Sequence, residues 1–187
     1  LDILSAYVDL LKKWQPRINL ISSMTVSDIW HRHIFDSAQL VMHLPSTVSD
    51  NTRHILDIGS GAGFPGLVLS ILGSGRVQLV ESDRRKSVFL QTVIRELGLS
   101  ASVVNQRIES LPACEPDIIT ARAVAALPKL MKLIDAQLHK GLTCLFLKGA
   151  KVEEELTNFQ TYSTMTPNLY PSLSREDGVI VKLTMPQ

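Results

Sequence analysis

Only two cysteines, Cys114 and Cys144, occur in 187 residues, and they lack the C-x-x-C spacing of a zinc or redox site. That scarcity argues against a disulfide framework and for reduced thiols in packing positions, in a reducing compartment. Long apolar runs are missing too: none approaches the roughly 18 residues that cross a bilayer, so no membrane association is expected. A secretory signal opens with basic residues, an apolar stretch and a small-residue cleavage site. Leu1-Asp2-Ile3-Leu4-Ser5 has none of these, which predicts a cytoplasmic protein. Charge of one sign is also absent. Lys and Arg number 19 against 18 Asp and Glu, so any nucleic-acid partner must be held by a local basic patch. No Ser-His-Asp or Cys-His arrangement stands out. No metal site is expected either, because His31 and His33 lie two apart and so on different faces of a helix.

What is present fits one domain of ordinary size, with 45% hydrophobic and 20% charged residues. Residues 1–187 are expected to form that domain, as an N-terminal helical extension (1–44) and an α/β core (53–187). Ile3, Leu4, Tyr7, Leu10, Leu11 and Trp14 recur at the spacing of one helical face. Pro16 is expected to end that helix, Asn19-Leu20-Ile21-Ser22 to connect, and Ser27-Asp28 to cap a second helix running to about Leu44. Because the first residues already read as helix, further residues are expected before Leu1. A loop is expected from Pro45 to Thr52.

Beyond it, short apolar runs alternate with helical patterns. Strands are expected at His54–Ile58, Val77–Glu81, Ser102–Asn105, Asp117–Ala121 and Thr143–Leu147, with helices at Pro65–Leu72, Arg84–Leu97 and Leu127–Leu138. Such alternation predicts a Rossmann-like α/β fold with a mostly parallel sheet covered on both faces. Near the end, Lys151–Phe159 reads as helix. Met165–Tyr170 and Val179–Leu183, divided by Pro171 and the Asp177-Gly178 turn, read as an antiparallel pair.

The densest local signal is Asp57-Ile58-Gly59-Ser60-Gly61-Ala62-Gly63-Phe64-Pro65-Gly66. A buried strand delivers the chain to a turn where glycines permit positive φ and close ligand approach, and Pro65 suits the first turn of the next helix. In open α/β sheets, ligands sit at the carboxyl ends of the strands. Glu81, about 20 residues on, closes the second strand where a carboxylate accepts hydrogen bonds from ribose hydroxyls. The stretch Gly61 to Gly66 also satisfies the dinucleotide pattern G-x-G-x-x-G. Three features favour S-adenosylmethionine: Asp57 at the strand end suits a cation and repels a pyrophosphate; the run starts at Gly59, directly off the strand; and no second nucleotide-binding half remains. A glycine turn used only for packing, a dehydrogenase, a small-molecule methyltransferase and a non-catalytic nucleotide- or ribosome-binding module stay open as alternatives.

Asn19-Leu20-Ile21-Ser22, Arg32-His33-Ile34-Phe35-Asp36-Ser37, the glycine loop, Glu81-Ser82-Asp83-Arg84-Arg85-Lys86, Asn105-Gln106-Arg107-Ile108-Glu109, Thr120-Ala121-Arg122-Ala123-Val124-Ala125 and Leu147-Lys148-Gly149 together span most of the chain. In these motifs the sequence resembles the bacterial glucose-inhibited division protein B family, small-subunit ribosomal RNA guanine-N7 methyltransferases. The resemblance implies that Gly59, Phe64, Ile108, Glu109 and Arg122 contact S-adenosylmethionine, with Glu81 at the ribose; Asp57, Gly61 and Gly63 join them from the loop reading. The N-terminal helix is short for the family, and the stretch from Glu154 to Pro186 is the least diagnostic.

Guanine N7 carries an in-plane lone pair at neutral pH, so its methylation requires no general base, only positioning in a water-poor pocket. The absence of a catalytic nucleophile is consistent with that. Candidates to position the guanine are Asn19, His33, Asp36, Arg122 and Lys148. His33, Asp36 and Ser37 fall on one helical face and are expected to form a hydrogen-bonded cluster, serving either the RNA or the anchoring of the helix. Arg122 is either a cofactor contact or a salt-bridging surface residue, and Lys148 either a phosphate contact or a solvated lysine. Lys12, Lys13 and Arg17, then Arg32, then Arg84, Arg85 and Lys86 are the candidate RNA contacts. The expected partner is ribosomal RNA or the small-subunit particle, met by a monomer.

Overall fold

Seven short runs of apolar and β-branched residues become strands: β1 (His54–Ile58), β2 (Arg76–Val80), β3 (Ala101–Val104), β4 (Ile118–Arg122), β5 (Thr143–Lys148), β6 (Asn168–Pro171) and β7 (Val179–Thr184). In this computed structural model, which describes residues 1–45, 52–160 and 166–186, they form one sheet in the order β3-β2-β1-β4-β5-β7-β6. The first five run parallel, and β7 pairs antiparallel with both β5 and β6. The sheet therefore matches the expected Rossmann-like pattern. Met165 of the expected last hairpin lies outside the described residues, as do residues 46–51 of the expected loop.

Strand alternation sends successive side chains to opposite faces, and each face has its own cover. Ile55, Val77, Leu79 and Leu145 meet α1 (Asp2–Ile18), α3 (Gly66–Ile71) and α4 (Arg84–Leu97), through Tyr7, Leu11, Leu67 and Phe89. Leu56, Ile58, Ile119 and Phe146 meet α5 (Leu127–Leu133) and α6 (Val152–Gln160), through Leu130 and Phe159. Parallel strands buried on both sides explain why these runs are apolar throughout rather than alternating.

Two N-terminal expectations are corrected. Pro16 does not end α1, which continues to Ile18. A proline this close to a helix end removes one backbone hydrogen bond while keeping a helical φ, so the last turn survives. The stop comes at Asn19, which adopts the left-handed conformation with φ 41° and donates its amide to Gln15 O. The Gln15 side chain then holds the connector, accepting from the amides of Leu20 (2.9 Å) and Ile21 (3.0 Å) and donating to Ile21 O (2.6 Å).

The second helical segment starts earlier than expected and is not one α-helix. It runs as a 3₁₀ stretch (Ser23–Asp28), a π-helical turn (Trp30–Phe35), a single α-turn (α2, Asp36–Ala38) and a further 3₁₀ stretch (Gln39–His43). In the wide turn the Asp36 amide reaches back to His31 O instead of Arg32 O, which frees the Arg32 carbonyl for another donor. That donor belongs to the sheet. Likewise the expected helix Leu127–Leu138 stops at Leu133 and finishes in a 3₁₀ turn, Asp135–Gln137.

Because Asn19 is exposed and left-handed, its job in the fold is that of a helix terminator. Asn19→Gly is expected to preserve stability in urea denaturation, whereas Asn19→Ala is expected to lose about 1 kcal/mol.

Candidate functional site

The site is built at the carboxyl edge of the sheet, where β1 gives way to the glycine loop. Gly59, Gly61 and Gly63 all take positive φ, at 61°, 58° and 96°. Two of them are also sterically closed to a side chain: a Cβ on Gly59 would lie 2.7 Å from the Val124 side chain, and one on Gly63 2.3 Å from Leu67. The loop is hydrogen-bonded from several sides. Gly63 donates to Ser60 O (2.7 Å), Ser60 donates to Val80 O (3.2 Å), and the Tyr7 hydroxyl of α1 donates to Ala62 O (2.6 Å). Glu81, just beyond β2, accepts from the Gly61 amide (2.8 Å) with one oxygen and from the Asp83 amide (2.7 Å) with the other. Each carboxylate oxygen keeps a second lone-pair position for a hydroxyl.

Two cavities open along this edge. The first, of about 250 Å³, is bounded by Gly59, Val80, Ile108, Glu109, Val124 and Leu133, with Ser82, Gln106, Arg107 and Lys129 at its rim. The second, of about 290 Å³, is bounded by Asp36, Arg122, Leu147, Lys148, Glu155 and Arg175. Val124 and Ala125 belong to both and form the wall between them. Ala123, immediately before that wall, is held at φ 55°, a conformation rare outside glycine and typical of places where the backbone must present something. The first cavity has mostly apolar walls for a flat ring system; the second is mixed, with Asp36, Arg122, Lys148, Glu155 and Arg175 set among Ala123, Val124, Ala125, Leu147 and Gly149.

The positions of the expected residues separate into two groups. Gly59, Ile108 and Glu109 line the first cavity; Gly61 and Glu81, hydrogen-bonded to each other, do not bound it, although Val80 and Ser82 on either side of Glu81 do. Asp57 and Phe64 do not open onto it. Asp57 has no exposed surface: parallel pairing sets it beside Thr120, whose hydroxyl donates to its Oδ1 (2.7 Å) beneath the loop. Burial pushes its carboxyl up to about 6, against hydrogen bonding from Thr120. The expectation that this carboxylate faces the ligand directly is therefore corrected, because strand alternation turns it toward α3 and away from the crevice. Phe64 is 3% exposed. It lies under His33 (ring centroids 5.0 Å apart, planes at 22°) and under the Arg122 guanidinium, 4.7 Å from the ring centroid, with Tyr7 at 5.4 Å.

Arg122 is not an ordinary surface arginine. Its side chain, 19% exposed, lines the second cavity, pairs with Asp36 (3.5 Å) and donates to the freed Arg32 carbonyl (3.3 Å). The expected His33-Asp36-Ser37 cluster is reorganised by the wide turn. His33 Nε2 hydrogen-bonds Thr25 Oγ1 (2.9 Å), Ser37 donates to His33 O (2.7 Å), and Asp36 accepts from Gln39 (3.1 Å) and Ser174. Desolvation, with Arg122 and Arg32 nearby, lowers the His33 imidazole to about 3, so it is neutral at physiological pH. Lys148 is also reassigned. It pairs with Glu155 (2.8 Å) and donates to Ala125 O, and the same Glu155 oxygen accepts from the Leu127 amide (2.8 Å). A lysine neutralised and clamped in this way fixes the Val124-Ala125 wall rather than meeting a phosphate.

Of the basic candidates, Lys12, Lys13 and Arg17 are exposed on α1, while Arg32 is half-buried beside the second cavity. Arg84 and Arg85 are exposed and Lys86 half-buried in the first turn of α4, capped by Asp83, which accepts from the amides of Arg85 (2.8 Å) and Lys86 (3.1 Å). Sequence reasoning did not single out Tyr7, Thr120, Glu155, Ser174 or Arg175 for the site. Tyr7 carried only the signal of a core position, and Arg175 falls in the least diagnostic stretch.

A family model described as rRNA small subunit methyltransferase G matches residues 1–177. The ribosomal RNA small subunit methyltransferase G of Rhodospirillum centenum is 46% identical over 184 residues, covering 98% of this chain and 83% of that protein. Its counterpart from Cereibacter sphaeroides is 47% identical over 185 residues, covering 96% and 88%. Among solved structures, the ribosomal protein L11 methylase of Lactobacillus delbrueckii subsp. bulgaricus is similar with a TM-score of 0.66 at 12% identity, over 81% of this chain and 77% of that one. A glycopeptide N-methyltransferase complexed with (S)-adenosyl-L-methionine gives 0.67 at 12% identity, over 82% and 94%. At such identity these two structures speak for the fold alone.

Asp57 yields a pH signature. Its folded pKa lies above the ordinary carboxylate value, so its contribution to stability is fully present below about pH 4 and is lost as pH rises through about 6. Relative to Asp57→Asn, which stays neutral, the unsubstituted chain is expected to lose about 3 kcal/mol across that window in urea denaturation.

Proposed function

The chain belongs to the rRNA small subunit methyltransferase G family, and from that membership we propose that it transfers a methyl group from S-adenosylmethionine to N7 of a guanine in small-subunit (16S) ribosomal RNA. The observation that carries this reading is the pair of cavities divided by Val124 and Ala125 at the carboxyl edge of the sheet. Together they reach the size range of ligand pockets, upward of about 300 Å³. One is mostly apolar, shaped by a glycine that tolerates no side chain; the other is mixed and open to a base.

In the first cavity, Ile108 and Val80 would enclose the adenine and the Glu109 backbone would meet its edge, while Glu81, between the lining residues Val80 and Ser82, would accept the ribose hydroxyls. Gly59 leaves room for the nucleoside against the loop. S-adenosylmethionine supplies a sulfonium methyl group, which guanine N7 takes by in-line displacement without prior deprotonation. The protein's work is positioning. Arg122, held by Asp36 and Phe64, lines the second cavity next to the Val124-Ala125 wall, where it would orient the methionine end of the cofactor. Asp36 offers a carboxylate near the base as positive charge develops on it. Asp57 acts from below: through Thr120 and the buried loop it fixes the floor of the cradle without touching its contents.

The second cavity sets Asp36, Arg122, Lys148, Glu155 and Arg175 among its uncharged residues, and these five charges favour a polar substrate over an apolar small molecule. The placement of Arg84, Arg85 and Lys86 supports RNA as the partner. Cations in the first turn of a helix oppose its dipole, at a cost of about 0.3–1 kcal/mol each, so helix stability does not account for them. A polyanion running past the end of β2 does. RNA is then read by shape, backbone and an extruded base rather than through A-form grooves. The enzyme acts as a monomer in the cytoplasm, on ribosomal RNA or on the small-subunit particle. No helix among the described residues is long and apolar enough to cross a membrane.

The direct test is methyl transfer from labelled cofactor to small-subunit ribosomal RNA lacking its modifications, with the labelled base mapped. Label at guanine N7 is the expected result, and no transfer would refute the reading. Reversing the charge of Arg84 and Arg85 together is expected to weaken RNA binding and to flatten its salt dependence by about 0.7–0.9 in logarithmic slope per lost phosphate contact, leaving cofactor affinity unchanged.

A further inference from the structure

The π-helical turn Trp30–Phe35 has two sides with different tasks. Its inner side closes the second cavity: His33 stacks on Phe64, the Arg32 carbonyl accepts from Arg122, and the next residue, Asp36, lines the cavity itself. Its outer side keeps large rings in solvent. Phe35 is 41% exposed, Trp30 is 42% exposed, and the exposed His31 ring stacks on Phe35 with centroids 5.8 Å apart and planes at 25°. Ile34 and His33 anchor this turn in the core, while Phe35 and Trp30 leave about two-fifths of their surface open. Wide turns of this kind occur frequently at functional sites.

We propose that the His31–Phe35 stack, in the turn that also carries the exposed Trp30, is a platform on which an unpaired base next to the target guanine stacks. The proposal rests on the RNA reading of the site and names the part of the surface that receives the strand. Two observations point to RNA rather than to a protein partner. The rings are paired and flat-on, which extends a stack of bases. They lie on the outer side of the very turn whose inner side bounds the base-receiving cavity, so a nucleotide flanking an extruded guanine reaches them without a long detour. The carboxylate of Asp28 lies 3.9 Å from His31 Nδ1, at the edge of the stack, so the platform receives a base face rather than a phosphate. A base leaving its duplex loses stacking, and a ring platform beside the pocket restores it for the neighbouring nucleotide.

Phe35→Ala, Phe35→Leu, Phe35→Trp and His31→Ala are compared with the unsubstituted enzyme, using small-subunit ribosomal RNA lacking the modification. The readouts are direct RNA binding by fluorescence anisotropy, KM for RNA, and cofactor affinity by calorimetry. Phe35→Ala and Phe35→Leu are each expected to weaken RNA binding about ten-fold, equal to about 1.4 kcal/mol. Phe35→Trp is expected to restore it, His31→Ala to weaken it several-fold, and cofactor affinity to stay unchanged throughout. Leucine performing as well as tryptophan would overturn the proposal, because it would mean that apolar bulk rather than a ring is required. A defect seen with assembled subunits but not with naked RNA would overturn it too, assigning the surface to a protein. If Phe35→Ala fails to fold, the leucine and tryptophan variants decide alone. Absence of methyl transfer by the unsubstituted enzyme would instead refute the proposed activity, and the binding comparison would still judge the platform.

Discussion

The buried ring of Phe64, held between His33, Tyr7 and the Arg122 guanidinium, is the contact on which the site depends. It joins the glycine loop to α1, to the π-helical turn and to the end of β4, three elements that share no neighbouring sequence. A guanidinium over an aromatic face gains from the ring quadrupole, and more when water is excluded, as it is here. Asp36 completes the arrangement from the opposite side of the same arginine. Without that ring, the helical segment that roofs the second cavity would lose its seat on the sheet, and Arg122 would lose its orientation.

Electrostatics around this contact is arranged in small closed sets rather than as a field. Thr120 donates to one oxygen of Asp57 while the other, Oδ2, is buried without a hydrogen bond among the described residues; Lys148 is paired by Glu155 and Ala125, and Asp36 by Arg122, Gln39 and Ser174. Pairing buried charges in this way fixes geometry more than it adds stability. It also keeps the interior of the crevice close to neutral, which suits a reaction in which positive charge passes from a sulfonium to a purine. Exposed cations stand on the exterior, on α1 and at the start of α4, where Arg85 lies 3.9 Å from Asp83 and a phosphate backbone has access.

The glycine loop, the parallel strands and Glu81 were legible because each is written in a short stretch: a run of buried β-branched residues, glycines at obligatory positive φ, and an acid at a strand end. Asp57 and Phe64 lie in the same stretch but are buried and do not open onto the first cavity. Their residue types and spacing are right for a ligand contact, but the direction in which each side chain points is set by the alternation of β1 and by what covers each face. Pro16 misled for a similar reason. A proline ends a helix only where the missing hydrogen bond matters, and one turn from the end it does not.

The amino-acid order by itself thus determined the fold class, the place of the cradle at the end of β1, and the family, since these depend on local propensity and on motifs read within a few residues. Tertiary structure alone decided which charges are spent on one another, which rings face inward, and that residues as distant in sequence as Asp36, Arg122 and Ser174 share one network. The physical reason is that pairing and burial are properties of neighbours in space. A lysine meant for a phosphate and a lysine clamped by Glu155 look the same until the chain has folded.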